Sequence, residues 1–329
     1  SFSFDFLPYT VFHEAISWMI QGVLWISRQS YGMLTIGHVP FLWVLLFYFM
    51  TGLWIWKKNG QNRHIRISLA YVIMIILIWI PMARRKSLAF LDVGQGDCFV
   101  ADTKSGAIIF DGGSSSEDQV GRYRILPYMK YLGYQKIQIA VISHMDIDHY
   151  SGIKELLEMG KIKYLGLPEI PKDATMKKII GIAKKRGTTI FYLSRGRQIT
   201  TKDGSLKVLH PQKNSQMEKN AASLVMQGKI LGYRVLLTGD VEKEGEEELL
   251  SEELERADIL KAAHHGSKNS TSNEFLQKVQ PKQTVISCGK QNRYGHPHLE
   301  TIHRLQTYRT KIYRTDRSGA IIFFKRRDG

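Results

Sequence analysis

The chain has 329 residues, is 43% hydrophobic and 23% charged, and carries a formal net charge of +16. That length allows one or two domains and a large core, and the composition excludes a disordered or collagen-like chain. The two cysteines, Cys98 and Cys288, exclude a disulfide-rich scaffold and a four-cysteine zinc site. Both lie in apolar, strand-like text and read as buried free thiols.

The apolar residues are unevenly spread. Residues 33–56 and 67–83 contain no Lys, Arg, Asp or Glu. A membrane helix takes about 20 apolar residues, with about 17 as the lower limit, so both segments are expected to cross a membrane. Residues 11–27 carry His13 and Glu14 and fit either a span or an interfacial helix. None of the three has the basic start, short apolar core and small-residue cleavage site of a signal peptide. The first residue is Ser1, and the chain is expected to be the C-terminal part of a longer membrane protein. The expected domains are a membrane segment at 1–86 and a folded domain at 87–329.

The short segment 57–66 holds Lys57, Lys58, Arg63 and Arg66. The positive-inside rule places it in the cytoplasm, and everything after residue 83 then lies outside. Arg84, Arg85 and Lys86 argue the other way. Residues 1–83 hold five Lys/Arg against two Asp/Glu, so most of the excess positive charge lies further on. Two kinds of partner fit it: anionic lipid headgroups, or a polyanion such as nucleic acid.

From Ser87 the text becomes short β runs alternating with helices. SLAFLDV, CFVADT and AIIFDGG read as three strands joined by tight turns at GQGD and KSG. A short helix is expected at 123–132 and a buried strand at 137–143, with a helix starting at 153. A further helix at 174–185 ends at Arg186-Gly187. SLKVLH, ASLVMQ and YRVLLTGD read as strands, followed by a Glu-rich helix at 242–254. After ILKAAHHGS come a helix at 273–279, the strand TVISC, a helix at 299–307, and two last strands near KIYRT and AIIFFK. This order suggests two mixed sheets between layers of helices, an α/β or α+β architecture.

His144, Asp146, Asp148 and His149 fall within six residues directly after a buried strand. Alternate residues of an extended segment share a side, so His144 and Asp146 can converge while the following turn brings Asp148 and His149 round. Four such side chains can hold two neighbouring metal ions. Asp and His also serve turns and helix caps, but a cap needs one such residue rather than four. Asp240 ends YRVLLTGD, and His264 and His265 follow DILKAA. A carboxylate there could bridge two metals and a His could complete a shell.

The order HMDIDH, LLTGD, AAHHGS resembles the metallo-β-lactamase-fold superfamily in its HxDxDH variant. The flanking text FLDVGQGDC, ILPYMKYLG, VISHMDIDHYSG, NAASLVM, DILKAAHHGSKNSTS and RTDRSGAIIF resembles the C-terminal domain of ComEC-type competence proteins. The resemblance covers about residues 87–329. It implies an αββα sandwich preceded by transmembrane helices, in a family that forms the inner-membrane channel for DNA uptake. His144, Asp146 and Asp240 would hold one metal. Asp148, His149, Asp240 and one of His264/His265 would hold the second. The metals expected are two divalent ions, Mn or Zn, because a carboxylate in place of an imidazole hardens the site. Asp148, His264 and His265 are the catalytic candidates, and the His that is not a ligand could protonate a leaving oxygen.

Asp111 would support the metal loop rather than ligate. His210 is the one candidate for the superfamily's isolated middle His, and strand-end packing is the favoured reading for it. Asp97, in GQGD, reads first as a tight-turn residue, and a role near the metals is the lesser alternative. Lys268, Arg293 and His296 would bind flanking phosphates at the rim, although each also reads as an ordinary surface residue. The expected partners are DNA, the membrane, and the DNA-receptor and translocation proteins of the competence machinery. The expected location is the cytoplasmic (inner) membrane, with the C-terminal domain outside. The function implied is a two-metal phosphodiesterase degrading one DNA strand. A non-catalytic DNA-guiding module and a cell-wall phosphoesterase are the alternatives.

Overall fold

The computed structural model describes residues 9–28, 35, 37–56, 65, 68, 69, 71–73, 85–217, 220–252 and 254–326. The chain divides into two compact units, Ser1–Trp79 and Ile80–Gly329.

In the first unit, helices run over Tyr9–Arg28 and Phe41–Trp56. The apolar run 33–56 is therefore not one continuous helix. Gly37 takes a left-handed φ of 78° and residues 37–40 are not helical. Pro40, which cannot donate a backbone hydrogen bond, stands just before Phe41. The helix that remains has 16 residues, about 24 Å at 1.5 Å per residue. A bilayer core is about 30 Å thick. Among the described residues no helix is long and apolar enough to cross a membrane. Most of the expected span at 67–83, and of the basic segment at 57–66, lies outside the described residues.

In the second unit, side chains of each strand alternate between two apolar layers. In β1 (Ser87–Phe90), Leu88 and Phe90 face the second sheet while Ala89 faces helices. In β10 (Tyr233–Leu237), Val235 and Leu237 face the first sheet and Leu236 faces the other helical layer. This period of two buries both faces of each sheet. Helices cover the outer faces: Ile147–Glu158 and Ala174–Lys185 on one side, and Lys243–Leu250, Asn273–Val279 and Leu299–Thr307 on the other. The result is the mixed α/β sandwich of two sheets that the sequence led us to expect.

The first sheet has the order β14-β1-β2-β3-β4-β5-β6. Its other strands are β2 (Phe99–Thr103), β3 (Gly106–Phe110), β4 (Ile137–Val141), β5 (Ile162–Pro168), β6 (Thr189–Leu193) and β14 (Ile321–Phe324). The second has the order β13-β12-β11-β10-β9-β8-β7. It contains β7 (Gln198–Thr201), β8 (Gly204–His210), β9 (Val225–Ile230), β11 (Ile259–Lys261), β12 (Gln283–Ile286) and β13 (Lys311–Arg314). Strands β3 to β6 are parallel, as are β10 to β13. Strand β14 returns from the end of the chain to pair antiparallel with β1.

Strands β5, β6 and β7 have no counterpart in the elements expected from sequence. The helix after β4 starts at Ile147 rather than 153, with Asp146 at its N-cap. The Glu-rich helix is shorter than expected, Lys243–Leu250. Both cysteines are free and buried, and burial pushes the Cys288 thiol up to about 12.

Candidate metal centre

Three parallel-strand ends, those of β4, β10 and β11, open at the same end of the sandwich. Open sheets present ligands beyond the carboxyl ends of their strands, and the acidic and imidazole side chains gather there.

After β4 the backbone stays extended to Asp146, then turns into the helix that carries Asp148 and His149 in its first turn. His149 is fully buried. Its Nδ1 donates to Asp111 Oδ2 at 3.0 Å, since a carboxylate can only accept. Asp111 Oδ1 accepts from Ser143 N at 2.7 Å. Asp111 thus holds both ends of the loop, and does so at a φ of 57°, a strained conformation for a non-glycine residue. His144 Nδ1 lies 3.0 Å from Ser143 Oγ, and its Nε2 is 3.6 Å from Asp146 Oδ2. Asp146 keeps 37% of its side chain exposed.

Asp240 follows β10 beyond Gly239, and its amide donates to Ser223 Oγ. Its Oδ2 lies 3.1 Å from His149 Nε2, 3.4 Å from His265 Nε2 and 3.7 Å from His264 Nε2. His264 and His265 both have left-handed φ, 48° and 53°. That pair of strained residues turns the two rings apart. His265 Nδ1 donates to Ser287 O at 2.9 Å, which leaves Nε2 facing Asp240 and, at 3.4 Å, Asp148 Oδ2. His264 instead lies with Nδ1 2.9 Å from Glu242 Oε1 and stays 24% exposed. Of the two histidines, the geometry brings His265 into the cluster.

For Asp97 the structure favours the lesser of the two sequence readings, a place beside the cluster. Asp97 is buried, and its carboxylate lies 3.7 Å from both His149 Nδ1 and His265 Nδ1. The backbone explains its delivery: Asp97 N donates to Asp148 O and Gly113 N donates to Asp97 O. A Cβ at Gly96 or Gly113 would collide with the backbone of the facing segment, so glycine there lets two loops pack against the metal loop. One ligand atom each from Asp97, His149, Asp240 and His265 lies within 4.8 Å of all the others.

Lys261, which the sequence reading did not single out, completes the cluster. It ends β11, is buried, and donates from Nζ to Gly239 O at 2.8 Å. The same ammonium pairs with Asp97 Oδ2 and lies 3.5 Å from Asp240 Oδ1. Burial alone would lower this lysine, but Asp97 and Asp240 raise it above the ordinary range.

His210 lies elsewhere. Its Nδ1 is 2.9 Å from Glu248 Oε2 and its Nε2 2.6 Å from Ala221 O. Both nitrogens are engaged outside the cluster. Lys268 and Arg293 are exposed on the rim. His296 is half-buried, and desolvation together with the neighbouring His265, His264 and His298 pushes it down to about 4.

The donor set fits a divalent metal. The Nε2 atoms of His144, His149 and His265 are buried without a hydrogen-bond partner, and buried polar atoms are seldom left so. In the metal-free molecule a proton takes the place of the cation. Burial opposes it, yet Asp240, Asp97 and Asp148 hold His265 up at about 10, and Asp240 and Asp111 hold His149 well above its usual range. Burial would raise Asp240, but His149, His265 and Lys261 keep it well below the carboxylate range. Such mutual perturbation marks functional sites.

Residues 91–290 match the family model of the metallo-beta-lactamase superfamily. ComE operon protein 3 of Bacillus subtilis (strain 168) is 33% identical over 356 residues, covering 100% of this chain and 45% of that protein. Competence protein ComA of Neisseria gonorrhoeae is 31% identical over 245 residues, covering 72% of this chain and 32% of that protein. The chain thus spans less than half the length of these curated relatives. The crystal structure of the metallo-beta-lactamase fold protein YhfI from Bacillus subtilis superposes with a TM-score of 0.50 at 13% identity, over 72% of this chain and 99% of that one. At that identity the likeness concerns the fold. The chain belongs to the metallo-beta-lactamase superfamily and is homologous to the ComEC-type competence proteins.

Proposed function

We propose that residues 87–329 form a metal-dependent phosphodiesterase, the nuclease domain of a membrane DNA-uptake channel that degrades one strand during natural transformation. The observation that carries this reading is the set of three buried imidazole nitrogens without hydrogen-bond partners, two of them aimed at Asp240. A DNA-guiding module organised by bound metals would satisfy them equally, and cleavage separates the two readings.

In this reading His144, Asp146 and Asp240 hold one divalent ion, and Asp148, His149, Asp240 and His265 the other. Mn²⁺ or Zn²⁺ suits this mixed carboxylate and imidazole set. Bound divalent ions supply phosphoryl polarisation and a nucleophile at neutral pH. The chain's own residues do the rest. Asp111 orients His149, and the Ser287 carbonyl orients His265, as outer partners of ligands commonly do. Lys261 fixes Asp97 and Asp240 from the protein side. His264, partly exposed and steadied by Glu242, is placed to hand a proton to the leaving oxygen. The +16 charge of the whole chain favours a polyanion over a choline-bearing cell-wall substrate.

The competence relatives support DNA, and the receptor and translocation proteins of that machinery, as partners. Together with the apolar segments at 33–56 and 67–83, they support the cytoplasmic membrane as its location, with the C-terminal domain outside. The test is cleavage of single- and double-stranded DNA by the metal-stripped chain after adding back Mn²⁺, Zn²⁺ or Mg²⁺. No cleavage with any ion, while metal is bound, sinks the nuclease. For topology, protease added to intact cells is expected to digest a C-terminal tag, and a tag cut only after lysis reverses the orientation.

A further inference from the structure

From the rim of the metal centre a row of flat rings leads to the surface. Tyr294 and His296 lie nearly parallel, 5.7 Å apart at 21°. The His296 ring is 5.4 Å from His264 and 6.1 Å from His265. Tyr294 is 43% exposed, and the guanidinium that lies over its ring is itself on an exposed residue. The Arg293 guanidinium sits 4.9 Å from the Tyr294 ring centroid and donates to its hydroxyl at 2.8 Å.

The loop is braced rather than loose. Asn292 Nδ2 donates to Gly289 O and to His296 O, and His296 N donates back to Asn292 Oδ1. His298 Nδ1 accepts from Lys268 N at the other flank. Residues 287–299 contain Lys290 and Arg293 but no Asp or Glu. His296 Nδ1 is buried without a hydrogen-bond partner. A Tyr held flat, flanked by cations and placed two rings from the metal ligands suits a molecule carrying both a planar heterocycle and a phosphate.

We propose that Tyr294, stacked on His296 and flanked by Arg293, is a platform for an unpaired nucleobase next to the phosphate that enters the metal centre, so that the site takes single-stranded nucleic acid. This rests on the phosphodiesterase reading and adds the strand form of the substrate. Bases in a duplex are already stacked on both faces and cannot occupy the platform, whereas proteins that hold single strands combine cationic grooves with aromatic stacking.

The test is equilibrium binding of a labelled oligothymidylate, a matched duplex and an abasic oligonucleotide to the full chain in EDTA, where no strand is cut. Y294A is expected to weaken oligothymidylate binding roughly 5- to 100-fold, the range that base–aromatic stacking commands. Y294F keeps the wild-type affinity, and duplex binding changes little in either. The abasic strand binds wild type as weakly as oligothymidylate binds Y294A, and Y294A costs it nothing further. Equal binding of oligothymidylate by wild type and Y294A, equal binding of the abasic strand, or no binding at all overturns the platform. Base-dependent binding without cleavage by the metal-loaded chain leaves the platform standing and removes the nuclease. Cleavage without base-dependent binding does the reverse.

Discussion

The ammonium of Lys261 lies 3.5 Å from Asp240 Oδ1 and in direct contact with Asp97, with all three side chains buried. Asp240 therefore turns one oxygen to a fixed cation and the other to His149 and His265. Lys261→Met removes the cation and leaves two buried carboxylates facing each other. Breaking a buried ion pair from one side costs about 3–5 kcal/mol. The expected outcome is a loss of that size in urea unfolding in EDTA, narrowed by saturating Mn²⁺, because a ligand that binds only the folded state restores stability. An unchanged midpoint in EDTA would remove Lys261 from the charge balance.

The metal-free chain has a defined pH window. His265 is held at about 10 against an ordinary 6.5, so its stabilisation is complete below 6.5 and lost as pH rises through about 10. Burial favours neutral Asp148, but the contact with His265 and the charge of His149 bring it down to about 2 from 3.8. Its stabilisation is present above 3.8 and lost as pH falls through about 2. Urea midpoints in EDTA should be highest between about pH 4 and 6.5.

Metal binding should reverse the alkaline limb. A ligating His265 must give up the proton on Nε2, so affinity rises with pH and binding releases protons. Calorimetry in buffers of different ionisation enthalpy counts them, and a proton count of zero at pH 7 contradicts the assignment of His265.

Asp240→Ala removes the carboxylate proposed to be shared by the two metals. Elemental analysis should find both metals lost, whereas His144→Ala loses mainly one. If Asp240→Ala keeps two metals per chain, the bridge does not exist.

Asp148→Asn is expected to lower DNA cleavage at least 100-fold and leave the far-ultraviolet circular dichroism unchanged, because Asp148 lies at the edge of the cluster. His149→Ala is not its equivalent. It empties a fully buried site and strips partners from Asp111 and Asp240, so its fold is expected to weaken as well. Near wild-type cleavage by Asp148→Asn, with its metal content lowered, would sink the role given to Asp148.

Much of this centre was legible because its residues follow buried strands in a recognisable order. His144, Asp148, His149, Asp240 and the HHG pair all announce themselves by type and spacing. Lys261 did not, and Asp97 did so only as a lesser alternative to a turn. Asp97 sits in a glycine turn, and Lys261 ends a strand whose text reads as ordinary alternation. Their partnership spans 164 positions and exists only once β10 and β11 lie beside the GQGD loop. The choice between His264 and His265 depends on two left-handed residues, which no spacing rule reveals. The helix start at Ile147 was hidden because its first turn is built of ligand-type polar residues. Within the apolar run at 33–56 the helix start was hidden, because Pro40, a single residue, resets where the helix begins.

Strand β1 finds its outer neighbour only in β14, with Ser87 opposite Phe324. A chain emerging from the ribosome exposes that edge of the sheet until β14 has been made. Until then Leu88 and Phe90 lack Ile321 and Phe323, and an unpaired apolar strand edge recruits other chains. Truncation before Ile321 should therefore yield aggregation even though every metal ligand has already been made. Synthesis of β14 is the event that seals the domain.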